Sequence, residues 1–446
     1  MLIKPIPNTT DQKYYLVNFD KDGKERFGGE DGVSSSALLK ELKTGGYTDV
    51  IVMSHGWMGD VPAAIAQYDK WIPNLFTCQA DIEAMKKKRP GFKPLFVGLH
   101  WPSLPWGDEE SDGSFGFDPQ SEVGKIIKST VDDYVQRLGN VRGIRKPLTT
   151  IVTAALDEHS TLPQDVRTAY LELGKKLGLA SGSENAALDA DVRDYDPEEM
   201  FQDALKQENE DLTAGSFSKP SFFGTLLSPL RTFSFWQMKS RARKFGEGGA
   251  NAFLQAMQKT AAETGREVHF HLMGHSFGCA VVSAMAAGKP GDTATQPVDS
   301  MTLAQGALSI WAYCPSIQKD GGKPGYFSPM IKSAKVKGPI VTTQSEFDRA
   351  VGFFYKIGAG VAGQVSFAGE LPTIGALGAF GIQGMDAITE GLKMKPVSEA
   401  YNFKPGKIYN LESSDVIKNG GGFVGAHSDI VHPEVAHALW QAALAS

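Results

Sequence analysis

The stretch Val268-His269-Phe270-His271-Leu272-Met273-Gly274-His275-Ser276-Phe277-Gly278-Cys279-Ala280-Val281-Val282 organises the whole chain. Val268 to Met273 is a short apolar run of strand character, and Cys279 to Ala287 is a small-residue segment of helical character. Between them stands Gly-x-Ser-x-Gly with no room for a loop. A serine at the tip of so sharp a turn sits in a strained backbone conformation. Glycines two residues to either side let strand and helix approach without a Cβ clash. The turn also aims the Phe277 N–H at the space in front of the hydroxyl. Taken alone, Ser276 reads as a helix N-cap, and the pentapeptide is common; the strand–turn–helix setting and the partners downstream are what give it chemical meaning.

A serine hydroxyl becomes a good nucleophile only when a base takes its proton and an acid orients that base. Both kinds of group follow downstream. Gly338-Pro339-Ile340-Val341-Thr342-Thr343 reads as a short buried strand, and the turn after it, Gln344-Ser345-Glu346-Phe347-Asp348, carries two carboxylates. Lys407-Ile408-Tyr409-Asn410-Leu411 reads as another strand. A glycine-rich loop (Gly420-Gly421-Gly422) then leads to Gly425-Ala426-His427-Ser428-Asp429, ahead of a final helix from about Pro433 to Leu444. Upstream, Asp49-Val50-Ile51-Val52-Met53-Ser54 is a β-branched apolar run ending in His55-Gly56-Trp57-Met58-Gly59.

On these residues the chain resembles the α/β-hydrolases of the serine esterase/lipase type, over roughly residues 12–103 and 245–446. The resemblance implies an α/β fold with a mostly parallel central sheet, helices on both faces and a large inserted helical cap. Carried over residue by residue, it makes Ser276 the nucleophile, His427 the general base and Asp348 the acid, in the chain order Ser, Asp, His that this fold uses. Asp348 is preferred to Glu346 because the family usually shows Ser-x-x-Asp after the seventh strand. The His-Gly-x segment after the third strand implies a backbone N–H donor at Trp57, which joins Phe277 in an oxyanion hole. The activity so implied is cleavage of a carboxylic ester through an acyl-enzyme, with no cofactor and no metal. A lipase or phospholipase working at a lipid surface is the alternative, and a non-catalytic binding module on the same scaffold is the reading from another class.

Other residues invite plainer readings. His55 is expected to pack its loop. His269 and His271 share a strand face, yet no third ligand stands at metal-binding spacing, so they read as satisfied core histidines. His432 and His437 flank or enter the last helix and suit packing or capping. Asp429 is a rival orienter for His427. Gly358-Ala359-Gly360-Val361-Ala362-Gly363, with Asp386 downstream, spells a dinucleotide fingerprint but lacks the strand before and helix after that such a site requires.

With 446 residues the chain exceeds a minimal hydrolase core, so large insertions are expected. Three segments follow: 1–103 as the N-terminal part of the core, 104–245 as an inserted helical cap, and 246–446 as the remaining core. A glycine-rich insertion at about 352–403 reads as part of the pocket wall. In the cap, Val123, Ile126, Ile127, Val131, Tyr134, Val135 and Leu138 share one helical face. Residues 184–211 are strongly acidic and read as a solvated surface. The stretch 212–246 carries six basic and no acidic residues among Phe217, Phe222, Phe223, Phe233, Phe235 and Trp236, which suits either weak membrane-surface contact through 217–245 or a packed helix. A net charge of −6 gives no reason to expect nucleic acid. Cys78, Cys279 and Cys314 are odd in number and scattered, so reduced thiols are expected. Without a signal-like apolar segment near Met1, the chain reads as cytoplasmic, with export lacking a cleaved signal left open.

Overall fold

The computed structural model describes residues 3–9, 12–26, 34–57, 60–103, 123–156, 161–178, 196–198, 201–202, 226–318, 321–351, 375–420 and 425–446. The described strands are β1 (Ile3–Pro5), β2 (Lys13–Asn18), β3 (Asp49–Ser54), β4 (Pro94–His100), β5 (His269–His275), β6 (Ser300–Ala304), β7 (Ile340–Gln344), β8 (Thr389–Lys393) and β9 (Ile408–Glu412). They form one sheet in the order β1-β2-β4-β3-β5-β6-β7-β9-β8. Only β1 runs antiparallel to its neighbour; all other pairings are parallel.

The central strands are apolar runs because both of their faces are covered. Every residue of β3 is buried. On one face, Ile51, Met53, Phe96, Met273, Val341 and Leu411 form a continuous cluster with Tyr68, Trp71 and Ile72 of the helix Val61–Leu75 and with Leu439, Trp440 and Ala443 of Pro433–Leu444. The alternate side chains, Tyr15, Val17, Val50, Val52 and Leu272, are buried outside that cluster. The helices Ser34–Thr44, Asn251–Glu263 and Gly278–Ala287 pack on β2, β3 and β5 and on one another there. Each fully buried Ile, Leu, Val or Phe contributes about 1.5–3 kcal/mol, so this two-sided core is what holds the strand ends in register.

From β3 the chain steps outward to β4, towards β2; from β5 it steps the other way, through β6 to β7. Such a reversal leaves a crevice outside the carboxyl ends of the two strands, here β3 and β5, where ligands bind in open α/β sheets.

The chain divides into two compact units: residues 1–103, 241–352 and 375–446, which hold the sheet, and residues 104–240 with 353–374. Two expectations change. The boundary of the inserted segment falls at 240 rather than 245. The segment 352–403 is not one insertion, because 375–403 belongs with the sheet and contributes β8 as its edge strand. In the second unit, Val123–Arg137, Arg145–Ala154 and Gln164–Lys176 pack in succession, burying Val131, Tyr134, Val135, Ile151, Tyr170 and Leu173. Phe233, Phe235 and Trp236 lie on the helix Ser228–Phe245 and are buried, with Phe233 edge-on to Tyr170. Phe217, Phe222, Phe223, the Gly358–Gly363 motif and nearly all of the acidic stretch lie outside the described residues. The three cysteines are buried and unbridged. Among the described residues no helix is long and apolar enough to cross a membrane.

Candidate active site

Ser276 follows the last residue of β5 and precedes the helix Gly278–Ala287. Its φ is +56°, in the left-handed region that a residue with a Cβ enters only at a cost of about 1–2 kcal/mol. The surroundings hold it there. Its N–H donates to the Ala304 carbonyl at 3.2 Å, and its own carbonyl accepts from Cys279 and Ala307, each at 3.1 Å. The two flanking glycines answer to close approach. A Cβ on Gly274 would lie 2.5 Å from the backbone of Gly278 and Cys279, and one on Gly278 would run into the Ser54 and His55 carbonyls.

His427 and Asp348 reach Ser276 from two distant segments. The turn after β7 carries Asp348, and the loop between β9 and the last helix carries His427. An isolated antiparallel bridge joins Asp348 to Gly425, and Ala426 N–H donates to the Phe347 carbonyl at 2.9 Å, so the two loops are tied at the backbone. His427 Nδ1 lies 2.8 Å from Asp348 Oδ2, and His427 Nε2 lies 2.8 Å from Ser276 Oγ. A carboxylate only accepts, so Nδ1 carries a proton, and in the neutral ring it is bare Nε2 that faces the hydroxyl. All three residues are buried.

The competing carboxylates lie elsewhere. Glu346 is exposed. Asp429 pairs with His432 at 2.9 Å, and its Oδ2 accepts the N–H groups of Lys418 and Asn419 at 3.0 and 2.7 Å. Burial alone would raise the Asp429 pKa, but those N–H groups and His432 hold it below the usual carboxylate range.

The loop after β3 lies directly against Ser276: a Cβ on Gly56 would sit 2.7 Å from Ser276 Cβ and 3.2 Å from its Oγ. His55 sets the orientation of that loop. Its Nδ1 must donate to the Gly56 carbonyl at 2.8 Å, which leaves Nε2 to accept from His100 Nδ1 at 3.0 Å. Burial, aided by His100, pushes the His55 pKa down to about 3, so the ring stays neutral and keeps this arrangement. With the Gly56 carbonyl drawn to His55, the trans peptide turns the Trp57 N–H to the opposite side. The Trp57 and Phe277 rings meet edge to face at 6.1 Å, so the two residues expected to supply backbone donors are neighbours.

His275, the variable residue before the serine, has no spacing signal that marks it in the sequence. Its Nε2 donates to the His427 carbonyl at 2.9 Å, and its Nδ1 faces Gln67 Nε2 at 3.4 Å. Burial and the adjacent His427 ring push its pKa down to about 3. A neutral His275 thus pins the main chain of the candidate base.

The other described histidines lie apart from Ser276 and have local partners. His271 bonds Asp49 and Ser300, at 3.0 and 2.8 Å, and His269 faces Asp299. His437 bonds Asp81 at 2.6 Å. Among the described residues no cluster of His, Cys, Asp and Glu suits a metal ion. Comparison of the chain with protein-family models, with curated proteins and with solved structures returned no match.

Proposed function

We propose that this protein is a serine hydrolase of the α/β-hydrolase type that cleaves a carboxylic ester through an acyl-enzyme. The observation that carries the reading is the pair of 2.8 Å contacts from Ser276 Oγ to His427 Nε2 and from His427 Nδ1 to Asp348 Oδ2, with Ser276 at φ +56°. A buried serine hydroxyl is more economically satisfied by a backbone carbonyl than by a strained turn and two loops converging on it.

In the proposed reaction, Ser276 Oγ attacks the ester carbonyl as its proton passes to His427 Nε2. Asp348 keeps the Nδ1–H tautomer in place and stabilises the imidazolium. The backbone N–H groups of Trp57 and Phe277 hold the oxyanion, each contributing about 3 kcal/mol to the transition state. His427 then gives its proton to the departing alkoxide, which leaves as an alcohol. In the second half His427 takes a proton from water, the hydroxide attacks the acyl carbon, and Ser276 departs reprotonated.

The test is labelling by a fluorophosphonate probe, wild type against Ser276→Ala, followed by rates on p-nitrophenyl esters of increasing acyl length. Labelling that vanishes with the substitution, with a loss on the order of 10³-fold or more in rate, supports the reading. Folded wild type that neither labels nor turns over any ester would refute it.

A further inference from the structure

Gln305 stands immediately after β6 and is fully buried, with φ +44°. Its amide is satisfied at both ends. Nε2 lies 2.9 Å from Asp348 Oδ2 and 3.0 Å from the Gly378 carbonyl, while Oε1 lies 2.8 Å from Thr343 Oγ1. The orientation is decided by chemistry: the carboxylate and the carbonyl only accept, so the amide nitrogen faces them. Thr343 Oγ1 also accepts the Gln305 backbone N–H at 2.9 Å, so its hydroxyl proton goes to Oε1. The donor and the candidate base therefore share one oxygen, since Asp348 Oδ2 is also the atom bonded to His427 Nδ1. The other carboxylate oxygen has a longer contact, 3.3 Å, with the Val351 N–H.

We infer that Gln305 is a positioning residue for the proposed hydrolysis: its side-chain N–H fixes the Asp348 carboxylate so that Oδ2 faces His427, and Thr343 fixes Gln305. The inference rests on the hydrolase reading for its catalytic meaning. Its structural content, a Gln305-dependent His427–Asp348 hydrogen bond, can be read without turnover. A buried glutamine that only filled space would not place its donor on the oxygen that the base uses. A leucine or methionine would fill such a site without the cost of desolvating an amide.

Two variants separate positioning from packing. Gln305→Met keeps the volume and removes the donor. Gln305→Glu keeps the shape, donates while its carboxyl is protonated, and repels Asp348 once ionised. The inference expects Gln305→Met to lower kcat about 10-fold with little change in KM, independently of pH. It expects Gln305→Glu to be further impaired at pH 8, and to regain activity relative to wild type as the assay is taken down towards pH 5.5. Equal, pH-independent losses in the two variants, or a loss confined to KM, would overturn it. The low-field proton resonance of His427 Nδ1–H, assigned by its absence in His427→Ala, gives the second readout. It should broaden or vanish in Gln305→Met, and an unchanged, sharp resonance would likewise overturn the inference. If the wild type hydrolyses no ester, the resonance still decides whether Gln305 holds the pair, and the failure then belongs to the hydrolase reading alone.

Discussion

Gly56→Ala tests the proposed site at its tightest point. The added methyl would meet Ser276 Cβ at 2.7 Å and both Ser276 Oγ and the His275 carbonyl at 3.2 Å. Carbon atoms rest about 3.5–4.0 Å apart, so either the loop or the serine must move by about 1 Å. Neither is free to move cheaply. The Gly56 carbonyl is held by His55, and the backbone of Ser276 is held by Ala304, Cys279 and Ala307. Overpacking of this kind costs about 1–3 kcal/mol of stability. A misplacement of about 1 Å between reacting groups costs on the order of 10²-fold in rate, and loss of one oxyanion donor costs about 10²–10³-fold. The two losses share one cause and do not multiply, so kcat/KM should fall by about 10²–10³-fold. The measurement is kcat and KM on a short p-nitrophenyl ester, beside urea unfolding to establish that the variant is folded. A folded Gly56→Ala with wild-type kcat would refute the placement of this loop as the oxyanion-binding element.

Substitutions at four positions have defined outcomes. Ser276→Gly and Ser276→Ala both remove the hydroxyl and should both be inactive. Glycine relieves about 1–2 kcal/mol of left-handed strain but loses about 0.5–1 kcal/mol to chain entropy, so thermal melting should rank it level with or above the alanine variant. Asp348→Asn should cost about 10⁴-fold in kcat by favouring the wrong imidazole tautomer, while Glu346→Gln, at an exposed position, should stay within about twofold; the reverse pattern would exchange their roles. His437 offers a pH-dependent stability. Burial pushes its pKa down, but the hydrogen bond to Asp81 and the Glu399 carbonyl outweigh that and leave it raised above 6.5. A raised folded pKa stabilises fully below about pH 6.5 and ceases to do so as pH rises through the folded value. The melting-temperature gap between wild type and His437→Leu should therefore narrow from pH 6 to pH 9, and a constant gap would show that His437 contributes packing only.

Much of this was legible because chemistry and chain order coincide at a few positions. Ser276 stands in a pentapeptide whose glycines are demanded by contacts of 2.5 Å and closer, and His427 and Asp348 follow in loops after strands of clear apolar character. The strands that escaped notice have physical reasons. Ser300-Met301-Thr302-Leu303-Ala304 is wholly buried, yet its hydroxyl residues Ser300 and Thr302 alternate with Met301 and Leu303, so this short segment lacks the aliphatic run of a strand covered on both faces. Thr389-Glu390-Gly391-Leu392-Lys393 is a polar edge strand, recognisable only through its pairing with β9. Gln305 and His275 were invisible for a different reason. Each acts through one hydrogen bond to a residue far off in the chain, and neither a left-handed glutamine nor a neutral buried histidine leaves a spacing pattern.

The two strained residues explain how the site is made firm. Ser276 and Gln305 are among the positive-φ residues other than glycine, and each is the first residue past the end of its strand, β5 and β6, which are adjacent in the sheet. Ser276 N–H donates to the Ala304 carbonyl, and Gln305 N–H donates to Thr343 Oγ1 on the next strand, so each left-handed turn is anchored by the neighbouring strand rather than by its own loop. Two such turns cost a few kcal/mol together, which a two-sided core can absorb. In return the serine hydroxyl and the donor to Asp348 are set by the register of the sheet. His427 alone arrives on a long loop, and the Asp348–Gly425 bridge and His275 fasten that loop from both sides.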